Sequence, residues 1–129
     1  MAKSVKTGIK GDSSVFNLRP IKLENIRPDA SSLLLPDEQI IGAFKTIRDQ
    51  VIFTDLRVLV VNVQGVGMKI AYISYPYEKV LYFGIETAGV IDIDSEMTLY
   101  FADGAVLQFD FTLHTDVREI YRAVSQCIL

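Results

Sequence analysis

The residues of this 129-residue chain that could do chemistry are few and scattered. His114 is the only histidine and Cys127 the only cysteine, so the chain supplies neither a zinc cluster nor an intrachain disulfide. A nucleophilic triad needs a nucleophile, a base and an orienting acid held together, and no motif here supplies that set. We therefore predict no catalytic residue, no metal site and no cofactor.

Three carboxylates, Asp92, Asp94 and Glu96, alternate along one predicted strand face. Side chains two residues apart on a strand lie about 7 Å apart, so a single strand cannot wrap all three around one cation. Further ligands would have to come from elsewhere, for example from Glu86. We interpret the row as a polar outer face, suited to contact with a basic segment.

Lys45 and Arg48 are the candidate anion-binding residues, in the turn after the first predicted strand. A highly charged phosphoinositide headgroup needs a convergent basic cluster that offsets the cost of desolvation. Here Asp49 lies beside the pair and neutralises half of its charge. We favour a solvated turn, and keep a phospholipid-headgroup site as the alternative.

The charge is unevenly distributed along the chain. Residues 1–27 carry a formal charge of +4 and residues 28–129 carry −7, within a total of −3. A mildly basic arm before an acidic body makes nucleic acid a poor partner, whereas contact with an anionic membrane surface stays open. The first residues lack the apolar run of a secretory signal, and no stretch reaches the roughly 18 apolar residues of a membrane span. We expect a cytoplasmic protein.

Two segments are distinguished by composition. Residues 1–20, rich in Gly, Ser, Lys and Asp, are predicted to be a flexible basic leader, and residues 21–129 a single domain. Pro28 and Pro36 limit any helix between residues 21 and 35 to one or two turns. Runs of β-forming residues then predict strands at 39–47, 50–54, 57–64, 69–75 and 80–86.

The clearest pattern is a hairpin near the C-terminus. Apolar and polar residues alternate in 91–101 and again in 107–113, on either side of Asp103 and Gly104, which predicts two strands with one wet face. Apolar residues then recur every three and four positions up to Ile128, which predicts a helix with Thr115 as its N-cap. Seven strands followed by one helix exclude a doubly wound parallel sheet, which needs helices as crossovers.

Four strings of residues carry a family resemblance. They are AFKTIRD at 43–49, VIFTDLRVL at 51–59, SYPY at 74–77 and IETAG at 85–89. From about Pro36 to the C-terminus the chain resembles the bacterial pleckstrin-homology-like (PH-like) domain family. The resemblance implies a mainly β PH-like barrel of seven bent antiparallel strands, capped by a C-terminal α-helix. It also implies ring-like homo-oligomers and no enzymatic activity.

The second and third strands have more apolar side chains than one face can hide. Residues 51–53 and 58–61 are apolar at both parities, so something must cover the second face. The cover is either residues 21–35 or another subunit, and we favour a subunit because flat apolar strands invite association. Tyrosines near the following strands also suit an interface. The interface candidates are Val51, Phe53, Val58, Val60, Tyr75 and Tyr77.

These patterns predict a non-enzymatic, self-assembling interaction or scaffold domain. Its main partner is a further copy of itself, with an unknown protein as a second partner class. A module that binds an anionic membrane surface or a phospholipid headgroup is the first alternative, and a small-ligand binder at the mouth of the barrel is the second.

Overall fold

The computed structural model describes residues 16–66, 69–87, 95–112 and 115–129. Within these residues it contains two α-helices, α1 (Pro28–Ser31) and α2 (Val117–Ile128), and eight strands. The strands are β1 (Phe16–Pro20), β2 (Ile40–Lys45), β3 (Gln50–Thr54), β4 (Arg57–Gln64), β5 (Lys69–Pro76), β6 (Val80–Glu86), β7 (Ser95–Phe101) and β8 (Val106–Phe111). They form one curled sheet in the order β5-β4-β3-β2-β1-β8-β7-β6. The predicted mainly β fold with a C-terminal helix is confirmed.

Strand β1 lies within the segment predicted as a leader, so the predicted count of seven strands is one too few. Phe16 and Leu18 are buried while Asn17 and Arg19 are exposed, which is the alternation of a half-buried strand. β1 pairs in parallel with β8 and antiparallel with β2, and so joins the two halves of the sheet. Five alternating residues beside a polar stretch are too short a pattern to stand out in the sequence.

The predicted C-terminal hairpin is confirmed where the structure describes it. β7 pairs antiparallel with β8, and Gly104 has the positive φ of 90° that its turn requires. The predicted strand residues 91–94 and Leu113 lie outside the described residues. Helix α2 begins one residue later than predicted, because the Asp116 carboxylate, rather than Thr115, accepts the capping hydrogen bond from the Arg118 N–H.

The main hydrophobic core lies between the inner face of the curled sheet and α2. Phe53 from β3 stands edge to face against Phe44 of β2 and Phe109 of β8, with ring centroids 5.6 and 5.1 Å apart. Val117, Ile120 and Val124 of α2 close this core from the open side of the sheet. Because its rings come from both halves of the sheet, the core depends on the whole domain.

A second, smaller core lies on the opposite face of β3 and β4. Residues 21–35, here called the strap, place Ile26 and Ala30 against Ile52, Leu59 and Val61. The chain itself therefore covers the second apolar face, and the preference for another subunit as its cover was wrong. The physical reason is that the short elements of the strap supply enough apolar surface to bury the face within one copy.

Glu38, three residues beyond the strap, fastens the C-terminal end of the strap to the sheet. Its carboxylate accepts hydrogen bonds from the Arg57 guanidinium at 2.8 Å, the Thr54 hydroxyl at 2.6 Å and the Leu35 N–H at 3.0 Å. Burial by itself raises the pKa of Glu38, but these hydrogen bonds outweigh it and lower the pKa to about 2. Arg57 also donates to the Leu33 carbonyl, so one guanidinium joins the strap to β4.

Candidate functional site

Strands β5 and β6 are the two ends of the sheet, and neither pairs with a further described strand on its outer side. On β6 the side chains of Leu81 and Tyr82 are 67% and 60% exposed. The register of β6 against β7 shifts between Val80 and Tyr82, so Leu81 sits in an irregularity that turns it outward. Tyr82 is held by stacking on Tyr100, with ring centroids 4.2 Å apart. The β6 edge therefore presents two large apolar side chains in a fixed place.

A groove of about 360 Å³ lies beside the other edge, between β5 and the turn that joins β7 to β8. Ile73 and Tyr75 contribute from β5, and Phe101 and Ala105 from the opposite wall. Lys79 and Asp103 add polar groups to the lining. An apolar groove next to a free strand edge can accept a side chain from a strand that pairs with that edge.

The structure places the six interface candidates in the interior of the monomer. Val51, Phe53, Val58 and Val60 have no exposed surface, and they belong to the main core together with Tyr75 and Tyr77. A side chain that its own domain buries completely offers no area to a partner. The apolar runs of β3 and β4 thus arise because both faces of these strands are buried within the monomer, one in the main core and the other under the strap.

The two anion-binding candidates, Lys45 and Arg48, lie at the junction of β2 and β3 and are both exposed. The Arg48 guanidinium donates to the Gly65 carbonyl at 3.3 Å, across the gap to the turn after β4. Lys45 instead lies opposite Arg19 in the pairing of β2 with β1. Asp49 accepts from the Asn62 amide and the Val63 N–H, so its carboxylate is used in holding the turn to β4.

Two exposed aliphatic residues near Arg48 were missed by sequence reasoning. Ile47 is fully exposed in the turn between β2 and β3, and Val66 is almost fully exposed after β4. For Ile47 the signal in the sequence was an aliphatic residue between Thr46 and Arg48, in a stretch where Gly, Pro, Asn, Asp and Ser are the usual turn residues. It was assigned to the preceding strand instead.

A family model for the bacterial PH domain matches residues 10–128. The chain belongs to this family. The curated relatives of this bacterial PH domain include Uncharacterized protein YjqA of Bacillus subtilis (strain 168), which is 34% identical over 90 residues, 69% of this chain and 72% of the relative. Uncharacterized protein YozO of the same organism is 25% identical over 95 residues, 74% of this chain and 82% of the relative.

Solved structures show the same relationship. A DUF1696 family protein with a pleckstrin-homology domain from Shewanella loihica PV-4 is 30% identical, with a TM-score of 0.74 over 88% of this chain and 99% of that one. A pleckstrin homology domain from Shewanella amazonensis SB2B is 32% identical, with a TM-score of 0.61 over 84% and 90% of the two chains. The resemblance found in the sequence is thus confirmed at the level of family and fold.

The acidic and histidine candidates of this bacterial PH domain are only partly described. Asp92, Asp94 and His114 lie outside the described residues. Glu96 and Glu86 lie opposite each other in the pairing of β7 with β6 and line an outer-face groove with Asp110. Among the described residues, no group of three His, Cys, Asp or Glu side chains could hold a metal ion.

Two further polar groups of the domain are set inside the fold. Cys127 is half-buried, its thiol donates to the Ala123 carbonyl at 3.3 Å, and burial raises its pKa, so its thiolate is disfavoured. Burial also raises the pKa of Tyr77, whose hydroxyl has no hydrogen-bond partner among the described residues. Both groups are neutral near pH 7, which suits packing rather than nucleophilic chemistry.

A helix that crosses a bilayer needs about 20 consecutive, mainly apolar residues. In the described part of the chain, no helix is both long and apolar enough to span a bilayer.

Proposed function

We propose that this bacterial PH domain is a non-enzymatic interaction module that self-associates through the open edges of its sheet. The observation that supports this proposal is the pair of exposed apolar side chains, Leu81 and Tyr82, on the free edge strand β6. An exposed strand edge offers unpaired N–H and C=O groups to another chain, and apolar side chains on that edge add a hydrophobic driving force.

The two edges of the sheet differ in what they offer. β6 projects apolar side chains, whereas β5 is bordered by the groove between Tyr75 and Phe101. A contact between two different surfaces repeats head to tail, and it closes into a ring when the rotation between copies allows. We therefore propose that β6 of one copy docks at the β5 edge of the next.

Light scattering of the purified chain at micromolar concentration tests self-association directly. The monomer mass is 14.5 kDa, and we expect a mass that is a multiple of it. Leu81→Glu should return the mass to that of the monomer, because a carboxylate in an apolar contact carries a large desolvation penalty. A wild-type mass near that of one chain contradicts the proposal.

Leu23→Glu provides the matched control for this experiment. Leu23 is 62% exposed, close to the 67% of Leu81, but it lies in the part of the strap that bonds to the interior strands: the Ile21 N–H donates to the Ala43 carbonyl of β2, and the Gln50 amide of β3 donates to the Asn25 carbonyl. The control variant should keep the wild-type mass. Loss of assembly in both variants would instead point to a general effect of added negative charge.

A mixing experiment tests the pairing of unlike edges. Cys127 is the only cysteine, so Cys127→Ser gives a background without thiols. Adding Ser74→Cys on β5 to one sample and Leu81→Cys on β6 to another should give disulfide-linked dimers mainly when the two are mixed. Efficient dimers of Leu81→Cys alone would indicate a contact between two β6 strands.

A further inference from the structure

The outer face of strands β6, β7 and β8 carries three carboxylates in one line across the strands. Glu86 lies directly opposite Glu96 in the pairing of β6 with β7, and Glu96 lies directly opposite Asp110 in the pairing of β7 with β8. The line ends at Asn17 of β1, which pairs with Asp110. We call Glu86, Glu96 and Asp110 the acidic strip. Residues that oppose each other on one face of a sheet lie about 5 Å apart, so like charges repel within the strip.

Two members of the acidic strip lack a cationic partner among the described residues. Neither Glu86 nor Asp110 forms an ion pair with a described Lys or Arg side chain. Asp110 accepts one long hydrogen bond, of 3.5 Å, from the Gln108 amide. A cation bound at the strip would therefore relieve a repulsion that these two carboxylates otherwise keep.

A shallow trough of about 220 Å³ runs along the same face, next to the acidic strip. Gly84 forms part of its floor, and Thr98 and Tyr100 line it from β7. A Cβ atom placed on Gly84 would meet nothing within 4 Å. A glycine inside a strand often marks a place where another backbone approaches closely. The trough therefore has room for an extended peptide that lies across the strands.

A second groove, of about 380 Å³, extends from the acidic strip to β1. Asn17 and Ser95 are part of its lining. Ser95 is only 6% exposed, and its hydroxyl makes no hydrogen bond with a described residue. A nearly buried hydroxyl without a partner is costly, and a peptide group or an ammonium group in the groove would supply one. This polar group points to a peptide ligand independently of the carboxylates.

The chain enters the described fold at one end of this surface. Residues 1–15, here called the lysine segment, lead into β1 and lie outside the described residues. The charged residues of this segment are three lysines and one carboxylate, Lys3, Lys6, Lys10 and Asp12. Lys10 precedes Asn17 by seven residues, an extended reach of about 23 Å, whereas Glu86 lies three strand spacings, about 15 Å, from β1. Lysines of the segment can therefore reach the whole acidic strip.

We propose that the lysine segment docks on the outer face of its own domain, with its ammonium groups on the acidic strip and its backbone along the trough over Gly84. The charges of the segment and the strip are complementary. Exposed ion pairs are weak one by one, but a short tether gives the segment an effective concentration in the millimolar range, which an unattached peptide lacks. The surface thus favours the chain's own segment as its occupant.

This contact stands apart from self-association, because it uses the outer face of β6 whereas self-association uses the edge of that strand. The two proposals therefore fail separately. Leu81→Glu, which should abolish assembly, should leave the docking of the lysine segment unchanged.

Limited trypsin digestion of the full chain tests the proposal, since a lysine held against a carboxylate is withdrawn from the protease. Cleavage after Lys6 and Lys10 is followed by mass spectrometry at low salt. In the strip variant, which combines Glu86→Gln, Glu96→Gln and Asp110→Asn, this cleavage should be about fivefold faster than in the wild type. Added salt should bring the wild type to the same fast rate, because it screens exposed ion pairs. Equal rates in the two proteins at low salt overturn the proposal.

A matched variant controls for the change in net charge. Glu24→Gln, Asp37→Asn and Glu78→Gln together neutralise the same residue types at exposed positions before β2 and before β6. This control should be cleaved at the wild-type rate. Equally fast cleavage in the control and the strip variant would reveal a general effect of charge and would contradict the proposal. Circular dichroism of both variants checks that the fold is retained.

Carbodiimide cross-linking of the unsubstituted chain gives a test that does not depend on variants. The reagent joins an ammonium group and a carboxylate in contact through an amide bond, with loss of water, and peptide mass spectrometry identifies the pair. We expect links from the lysine segment to the acidic strip. An equal mixture of ordinary and ¹⁵N-labelled chains shows whether each link lies within one copy. Links that join the two kinds of chain would place the segment on a neighbouring copy and overturn the proposal, as would the lack of any link to the strip.

Discussion

The two halves of the sheet bury their strands differently. In β3 and β4 both faces are covered, the inner one by the main core and the outer one by the strap. In β7 the burial alternates, so Met97 and Leu99 are buried while Thr98 and Tyr100 are partly exposed. The sequence pattern predicts this difference. A strand that is apolar at both odd and even positions has both faces covered, whereas a strand that alternates has one covered face.

The sequence predicts how many faces of a strand are covered, but it does not predict which segment or subunit covers them. Residues 58–61 show that a second cover exists, but no feature of that strand says whether it comes from the same chain. The strap holds few buried apolar side chains of its own, chiefly Ile26 and Ala30, and is fastened by the polar contacts of Glu38. A cover of this kind leaves a weak sequence pattern, which is why a second subunit was the favoured prediction.

The largest expected effect tests the core that the two halves share. Phe53→Ala should lower the free energy of unfolding by about 4 kcal/mol, the typical cost of deleting a buried aromatic side chain together with the cavity that remains. Phe53 is fully buried and touches rings from both halves of the sheet. Chemical denaturation followed by circular dichroism measures the change.

The same variant also shows whether the halves unfold together. A single cooperative transition with a lower midpoint is expected, since the main core draws on both. Two separate transitions in Phe53→Ala would show that one half survives alone, and the comparison between halves would then be one between two folding units.

The next effect in size concerns the fastening of the strap. Glu38→Gln should cost about 2 kcal/mol at pH 7, because the amide leaves Arg57 without its carboxylate partner and cannot accept at both oxygens. This cost is smaller than the lowered pKa of Glu38 alone would imply, because Arg57 is partly exposed and water screens the ion pair. Urea denaturation of both proteins at pH 7 gives the difference.

The pH dependence of that cost has a definite sign. The ordinary pKa of 4.5 is lowered to about 2 in the folded chain, so the carboxylate stabilises the fold fully above about pH 4.5. This stabilisation is lost as the pH falls from about 4.5 to about 2. The gap between wild type and Glu38→Gln should narrow over that window, and a gap that stays constant between pH 7 and pH 3 would contradict the assigned role.

Local patterns made most of the fold predictable. The hairpin of β7 and β8, the helix α2 and the strands β2 to β6 each carry their own signal of alternation, turn residues or helical spacing. β1 was missed because its contacts are with β8 and β2, which are far from it in sequence, and five residues carry too little pattern alone. Its place in the sheet is a tertiary property.

The candidate site was less predictable for a related reason. The sequence shows that Leu81 and Tyr82 are large apolar residues. Their exposure depends on β6 being the end of the sheet, which only the strand order reveals. Ile47 and Val66 lie in neighbouring turns because the Arg48 side chain donates to the Gly65 carbonyl, 17 residues further along the chain. Val60 was chosen as an interface residue because its burial within one copy depends on the main core, which both halves of the sheet and α2 build together.

The smallest expected effect on stability tests the difference in burial between the two halves most directly. It uses the exchange of valine and threonine, made in one direction in β4 and in the other direction in β7. Valine and threonine have nearly the same shape, and they differ in one hydroxyl. Val61 is fully buried under the strap, so Val61→Thr should cost about 1.5 kcal/mol for a hydroxyl that loses water. Thr98 lies on the outer face of β7, so Thr98→Val should change stability by less than about 0.5 kcal/mol. Equal effects in urea denaturation would mean that the strap leaves its face wet, and the second core would then have to be reconsidered.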